Sequence, residues 1–160
     1  MNVYSTIIEE VKKEASAILR VAEQLSEPSV EHAFKLLSAC KGKVVLTGMG
    51  KAGIIARKIS ATLASTGTTS IFLHAAEGIH GDLGMIDKGD VVIAVSNSGN
   101  TQELISIIPY LKFSQIPIIA LTGEVDSQLA QNSEVVLNCN VPKEYEPLGL
   151  VPTSSTTVAL

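Results

Sequence analysis

Ser96-Asn97-Ser98-Gly99-Asn100-Thr101 sets three hydroxyls, two amides and a glycine in consecutive positions. The apolar run Val91–Val95 precedes them, and a helical pattern begins at Gln102. A strand feeding such a loop, with a helix behind it, offers hydroxyls together with the free N–H groups and positive dipole end of the helix. That chemistry suits an anion, above all a phosphate. A plain turn with one capping hydroxyl would use the same residue types. Hydroxyls at 96, 98 and 101 exceed what one cap needs.

A second polar junction, Gly48-Met49-Gly50-Lys51-Ala52-Gly53, follows the strand-like run Lys43–Thr47. It matches the G-x-G-x-x-G dinucleotide pattern, which expects an acidic residue at the end of the next strand. Here that strand ends Phe72-Leu73-His74, which disfavours a nucleotide-dependent oxidoreductase. The glycines also fit a tight turn required for backbone reasons. Lys51 lies where open α/β sheets place their ligands, and a cation there binds phosphate or polarises a carbonyl. Glu103 opens the helix after the hydroxyl loop, either as a reacting carboxylate or as a complement to the helix dipole. His74, Glu77 and His80 cluster beside a strand end, in a pattern that serves acid/base work, metal binding or structure. Glu144 sits in Lys143-Glu144-Tyr145-Glu146, a charge run that solvent alone would also explain.

These groups need elements to position them. Val3, Ile7, Val11, Ala15, Ile18, Ala22 and Leu25 recur at helical spacing, predicting an amphipathic helix over 3–25. Glu9 and Lys13 pair on its outer face. Ser26-Glu27-Pro28 interrupts, and a second helix runs from Ser29 to Ala39. Strands are expected at 43–47, 69–73, 91–95, 116–122 and 134–137, and helices at 52–66, 102–113 and 127–131. The segment 74–89 reads as irregular, and 138–153 as a long connection holding Pro142, Pro147 and Pro152. Thr153-Ser154-Ser155-Thr156 begins a last helix that Leu160 cuts short, as in a trimmed longer protein. Continuously apolar strands predict a parallel sheet covered on both faces, and repeated βα units predict a doubly wound α/β sandwich.

The chain of 160 residues suits a single core, and its 46% hydrophobic, 18% charged composition is that of a globular domain. A net charge of -4 leaves no basic footprint for nucleic acid. Cys40 and Cys139 lack metal-ligand spacing and read as free thiols of a reducing compartment. No apolar run approaches the roughly 18 residues of a membrane span. Charges at Glu9, Glu10, Lys12 and Lys13 stand where a signal peptide would be apolar, so the expected location is the cytoplasm.

On these residues the chain resembles the sugar isomerase (SIS) domain family, and within it the isomerase domain of arabinose 5-phosphate isomerases. The motifs that carry the resemblance are Gly48-Met49-Gly50-Lys51, Ala64-Ser65-Thr66-Gly67-Thr68, His80-Gly81-Asp82-Leu83-Gly84-Met85, Ser96-Asn97-Ser98-Gly99 and the run Pro147–Thr157. Together they cover about residues 41–157, behind N-terminal helices in 1–40. The resemblance implies a flavodoxin-like three-layer αβα sandwich with a five-stranded parallel sheet. It implies cofactor-free interconversion of D-ribulose 5-phosphate and D-arabinose 5-phosphate, a step toward the lipopolysaccharide sugar Kdo. Homotetramers and a following pair of CBS modules are also implied. Carried over by position, the catalytic lysine falls on Lys51 and the glutamates on Glu103 and Glu144. The substrate-contacting histidines fall on His74 and His80, with His74 also the zinc position. Gly67 and Thr68 match a substrate-binding pair. Gly48, Gly50, Ser96, Asn97, Ser98, Thr101, Ser154 and Ser155 complete the expected phosphate and sugar contacts. The chain departs from the pattern at Ala52, where a serine is usual, and at Asn100, where an acid is usual. The family's catalytic histidine, and the CBS modules, would fall beyond Leu160.

The expected chemistry is a proton shuttle through a cis-enediol. Lys51 stabilises developing negative charge, Glu103 or Glu144 acts as base, and His80 assists. A carboxylate base needs a pKa raised toward neutrality. A non-catalytic sugar-phosphate sensor is the competing expectation. The apolar stripe of the first helix must be buried, and a partner subunit would bury it.

Overall fold

The computed structural model describes residues 2–142, 144–145 and 151–160. Two helices, α1 (Val3–Gln24) and α2 (Glu27–Ser38), lead into β1 (Val44–Gly48). There follow α3 (Gly50–Ser65), β2 (Ser70–His74), α4 (Ala75–Ile79), a 3-10 turn (Asp82–Met85) and β3 (Val91–Val95). The chain continues through α5 (Gln102–Phe113), β4 (Ile118–Thr122), α6 (Gln128–Gln131), β5 (Val135–Asn138) and α7 (Ser154–Ala159). Pro28 does not break a helix. It sits in the first turn of α2, where its missing N–H costs nothing, and Ser26 caps that turn.

The five strands form one parallel sheet in the order β2-β1-β3-β4-β5. The register sets Gly48 beside both His74 and Val95, and Thr122 beside Asn138. Strand ends that carry the polar junctions therefore lie along one edge of the molecule. Every residue of β1 and of β3 is buried, as continuous apolar runs require when both faces are covered. Side chains alternate between two cores. Val45, Val92, Ala94, Ile118 and Ala120 join Leu104, Ile107 and Leu111 of α5 on one face. Val44, Leu46, Val91, Ile93 and Ile119 join Ala33 of α2, Ala56 of α3 and Ala159 of α7 on the other. Thus α2 belongs to the sandwich itself.

Another local expectation differs from the structure. Segment 74–89 contains α4 despite Gly78 in its interior. A Cβ at 78 would approach Ile107 Cγ2 at 3.4 Å and Leu83 Cδ2 at 3.5 Å, so glycine lets α4 lie close to α5. In α1, the face turned to the chain carries buried Ala17 and Val21. The apolar stripe read from the sequence points outward, with Val3, Ile7, Val11 and Ile18 all exposed.

Candidate functional site

The sheet order reverses at β1, whose neighbours are β2 and β3. Loops from β1 and β3 leave toward helices in opposite layers and open a crevice between them, the usual ligand position in this layout. A cleft of about 270 Å³ lies there, lined by Met49, Lys51, Ser96, Asn97, Ser98 and Thr101 among others. Ala52, Thr122, Gly123, Cys139, Ser155 and Thr156 complete much of the wall.

The glycines of the first junction act by close approach. A Cβ on Gly53 would stand 2.9 Å from Gly48 O, so α3 can leave β1 tightly only with glycine there. This is packing geometry and needs no dinucleotide. Lys51, in the first turn of α3, is exposed at the cleft.

The hydroxyl loop is built from inside. Buried Ser96 accepts the Gly99 N–H at 3.0 Å, and its Oγ lies 2.8 Å from Thr101 Oγ1. Ser98 Oγ accepts the Asn100 N–H at 3.3 Å. Asn100 bridges outward: Nδ2 donates to Ser98 O, and Oδ1 accepts the Gln128 N–H, both at 3.1 Å. An aspartate could accept but could not donate to Ser98 O, so the amide serves both ends. Gly99 has φ +60°, and a Cβ there would collide with Ser127 Oγ. Asn97 O accepts the Gly123 N–H at 3.0 Å, tying the loop to the end of β4.

Helix starts divide into two groups. Asn2, Ser26 and Ser127 cap α1, α2 and α6 with side-chain oxygens. Met49 and Thr101, before α3 and α5, make no side-chain cap. The starts of α4 and α7 likewise take no cap from their own N-cap side chains; those of α3 and α5 border the cleft and leave N–H groups for an anion.

Glu144 works differently. Its Oε2 accepts the Thr153 N–H at 2.8 Å, the Thr153 hydroxyl at 3.1 Å and the Ser155 N–H at 3.2 Å. Partial burial pushes its carboxyl up, but hydrogen bonds from Ser155 and Thr153 outweigh that and hold it below its usual value. It is thus a settled anion at the start of α7, unlike the raised-pKa base expected from sequence. Glu103, in the first turn of α5, engages no side-chain partner among the described residues.

Other predicted residues lie apart from the cleft wall. His74 ends β2 and is half-buried, its Nδ1 buried without a partner among the described residues. Phe72 packs edge-on against it at 6.3 Å. No group of three His, Cys, Asp or Glu side chains converges to hold a metal ion among the described residues. His80 follows α4 and is exposed. Gly67 and Thr68 follow α3 at the far end of the sheet, where Thr69 O receives the Val44 N–H. Within one chain they do not join the cleft. Ser154 is wholly buried and turned from the cleft toward Glu14. Pro147–Leu150 of the last motif, with Lys143 and Glu146, lie outside the described residues.

Sequence reasoning missed Thr122, Gly123 and Cys139. Their signal was position, at the ends of β4 and β5, rather than residue type. Burial pushes the Cys139 thiol up to about 11, so it lines the wall as an inert group.

A doubly wound parallel sheet with an uncapped, hydroxyl-lined cleft at its switch point defines a phosphate-compound-binding α/β domain. The SIS domain model matches residues 36–160, and the chain belongs to the SIS domain family. The arabinose 5-phosphate isomerase KdsD of Pseudomonas aeruginosa is 55% identical over 128 residues, covering 80% of this chain and 39% of that protein. KdsD of Escherichia coli K12 is 55% identical over 121 residues, 76% of this chain and 37% of that protein. The chain thus spans less than half the length of these curated relatives. The solved structure of E. coli CFT073 c3406 in complex with arabinose 5-phosphate superposes with a TM-score of 0.82 at 43% identity, covering 99% of this chain and 85% of that one.

Proposed function

We propose that this domain is the isomerase portion of an arabinose 5-phosphate isomerase, interconverting D-ribulose 5-phosphate and D-arabinose 5-phosphate. One observation carries the reading: Lys51 and the Ser96–Thr101 loop line the same cleft, beside the uncapped starts of α3 and α5. The 55% identity to KdsD supports a pentose 5-phosphate as the substrate.

The phosphate sits on Ser96–Thr101 and the α5 N–H groups, which holds the reacting carbons in place. A base takes the proton alpha to the carbonyl and returns it to the neighbouring carbon through a cis-enediol. Lys51 stabilises the oxyanion that develops. Glu103 is the better base of the two carboxylates, because Glu144 is held below its usual pKa and anchors α7. Proton transfers of this kind call for no redox cofactor. His74 ends β2 beside Gly48 and His80 follows α4; their sugar contacts are carried by the family resemblance.

The reading includes a homo-oligomer, a tetramer by family resemblance, supported by the exposed apolar face of α1. Gly67 and Thr68 then reach substrate only in another subunit's cleft. A cytoplasmic role in supplying Kdo for lipopolysaccharide is supported by the relatives' activity and by two free cysteines. No helix among the described residues is long and apolar enough to cross a membrane.

The test is an isomerase assay on the full-length protein with both pentose phosphates. Conversion lost in Lys51→Ala and Glu103→Gln is the expected result. Tight sugar-phosphate binding without conversion would favour the regulatory reading instead.

A further inference from the structure

The inward face of α1 is unusual for a helix that packs on a domain. It presents Glu14 and Gln24 around the small buried patch of Ala17 and Val21. Both polar residues bond to neighbours of the cleft wall. Glu14 Oε1 accepts the Ser154 hydroxyl at 2.7 Å, and Ser154 is wholly buried at the first position of α7. The next two residues, Ser155 and Thr156, line the cleft. With its amide turned to satisfy both partners, Gln24 donates to Asn140 O at 3.2 Å and accepts from Arg20 Nε at 3.0 Å. Asn140 Nδ2 in turn donates to Gly123 O at 2.8 Å, and Gly123 also lines the cleft. Thus α1 braces the side of the site formed by β4, β5 and α7.

The Glu14–Ser154 bond is short and charge-assisted, the stronger kind of hydrogen bond. It is made although Glu14 Oε2 is buried without a partner among the described residues. Leaving a carboxylate oxygen so placed is costly, and an amide or hydroxyl would bury more cheaply. The first turn of α7 is consequently clamped between two carboxylates, Glu14 on Ser154 and Glu144 on Ser155.

We propose that Glu14 is a positioning residue of the phosphosugar site: through Ser154 it fixes α7 so that Ser155 and Thr156 face the ligand. The N-terminal helix then sets substrate affinity from outside the cleft. This rests on the phosphosugar reading above.

The experiment measures kcat and KM on the full-length protein, and calorimetric Kd for arabinose 5-phosphate, in Glu14→Ala, Glu14→Gln, Ser154→Ala and the Glu14→Ala/Ser154→Ala double variant. Loss of one such bond is expected to raise KM and Kd about five- to tenfold, with kcat changed less than about twofold. The double variant should be no worse than either single one, because both remove the same bond. Glu14→Gln should restore KM, since its amide oxygen still accepts from Ser154. Ser154→Ala leaves α1 intact and carries the test if Glu14→Ala does not fold. Unchanged KM and Kd in Ser154→Ala, no rescue by glutamine, or multiplying effects in the double variant would overturn the proposal. A wild type that neither binds nor converts the sugar phosphate overturns the function and this inference together. An active wild type beside unaffected variants overturns this inference alone.

Discussion

Glu144 Oε2 lies 3.2 Å from the backbone nitrogen of Ser155 and accepts its N–H at the edge of the cleft. The same oxygen holds Thr153 through both N–H and hydroxyl. One carboxylate therefore replaces the side-chain cap that Thr153 does not provide for α7. That acid builds the wall of the cleft.

The lowered pKa of Glu144 gives a pH dependence with a definite sign. Its usual value is 4.5, and the folded value lies below it. Its stabilisation is fully present above about pH 4.5 and is lost as pH falls through the lower folded value. Glu144→Gln should therefore cost about 1 kcal/mol at neutral pH, as for a lost helix cap. Melting curves of the variant and the wild type, taken from pH 7 downward, should converge under acid conditions. A gap that stays constant as the pH falls from neutral to strongly acid would mean that the carboxylate charge is not what holds α7.

Ser96 and Ser98 should separate cleanly. Ser96 is buried and organises the loop, whereas Ser98 is exposed at the cleft. Ser96→Ala removes the acceptor for Gly99 N–H and should lower stability by about 1–2 kcal/mol as well as sugar-phosphate affinity. Ser98→Ala should lower affinity with a melting temperature near wild type. Paired thermal melts and titrations with arabinose 5-phosphate read both quantities. Equal melting temperatures for the two variants would refute the division of labour.

Much of this arrangement was legible in the residues. Continuous apolar runs at 91–95 and 116–122 read as strands covered on both faces, and the polar junctions after 43–47 and 91–95 marked the ligand end of the sheet. What stayed hidden depends on tertiary packing. Gly78 argues against a helix until α5 is seen beside it. Thr122 and Gly123 carry no chemical pattern and enter the site because Asn97 O binds them. Glu14 looks like one more solvated charge on a helix with Glu9, Glu10 and Lys13, and only the fold brings Ser154 to it. Gly67 and Thr68 show the reverse case, motif residues that the single chain keeps far from the cleft.

Lys51 should prove functional without being structural. It is exposed, and among the described residues no carboxylate pairs with it. Lys51→Ala should leave stability within about 0.5 kcal/mol, as for surface substitutions. The loss of a preorganised charge at the oxyanion should lower kcat/KM about 100- to 1000-fold. Lys51→Arg keeps the charge but not the compact ammonium, so recovery should be partial. Steady-state kinetics on the full-length protein decide this, and a kcat/KM within about threefold of wild type for alanine would remove Lys51 from the mechanism.

The outward face of α1 sets the last expectation. Tyr4, Ile7, Val11 and Ile18 are 72%, 56%, 60% and 51% exposed, although they form the helix's apolar stripe. Burying such a side chain contributes roughly 1.5–3 kcal/mol, so several together are enough to drive association. These residues are not part of either core of the chain, and charging them should leave the fold alone. Ile7→Glu/Val11→Glu is therefore expected to reduce the proposed oligomer to smaller species in sedimentation velocity while circular dichroism stays unchanged. Activity should fall with the mass, because Gly67 and Thr68 lie at the end of the sheet opposite the chain's own cleft and, in the proposed oligomer, would serve a neighbour's. A dissociated variant with full activity would show that each chain works alone, and would leave those two residues without a role in catalysis.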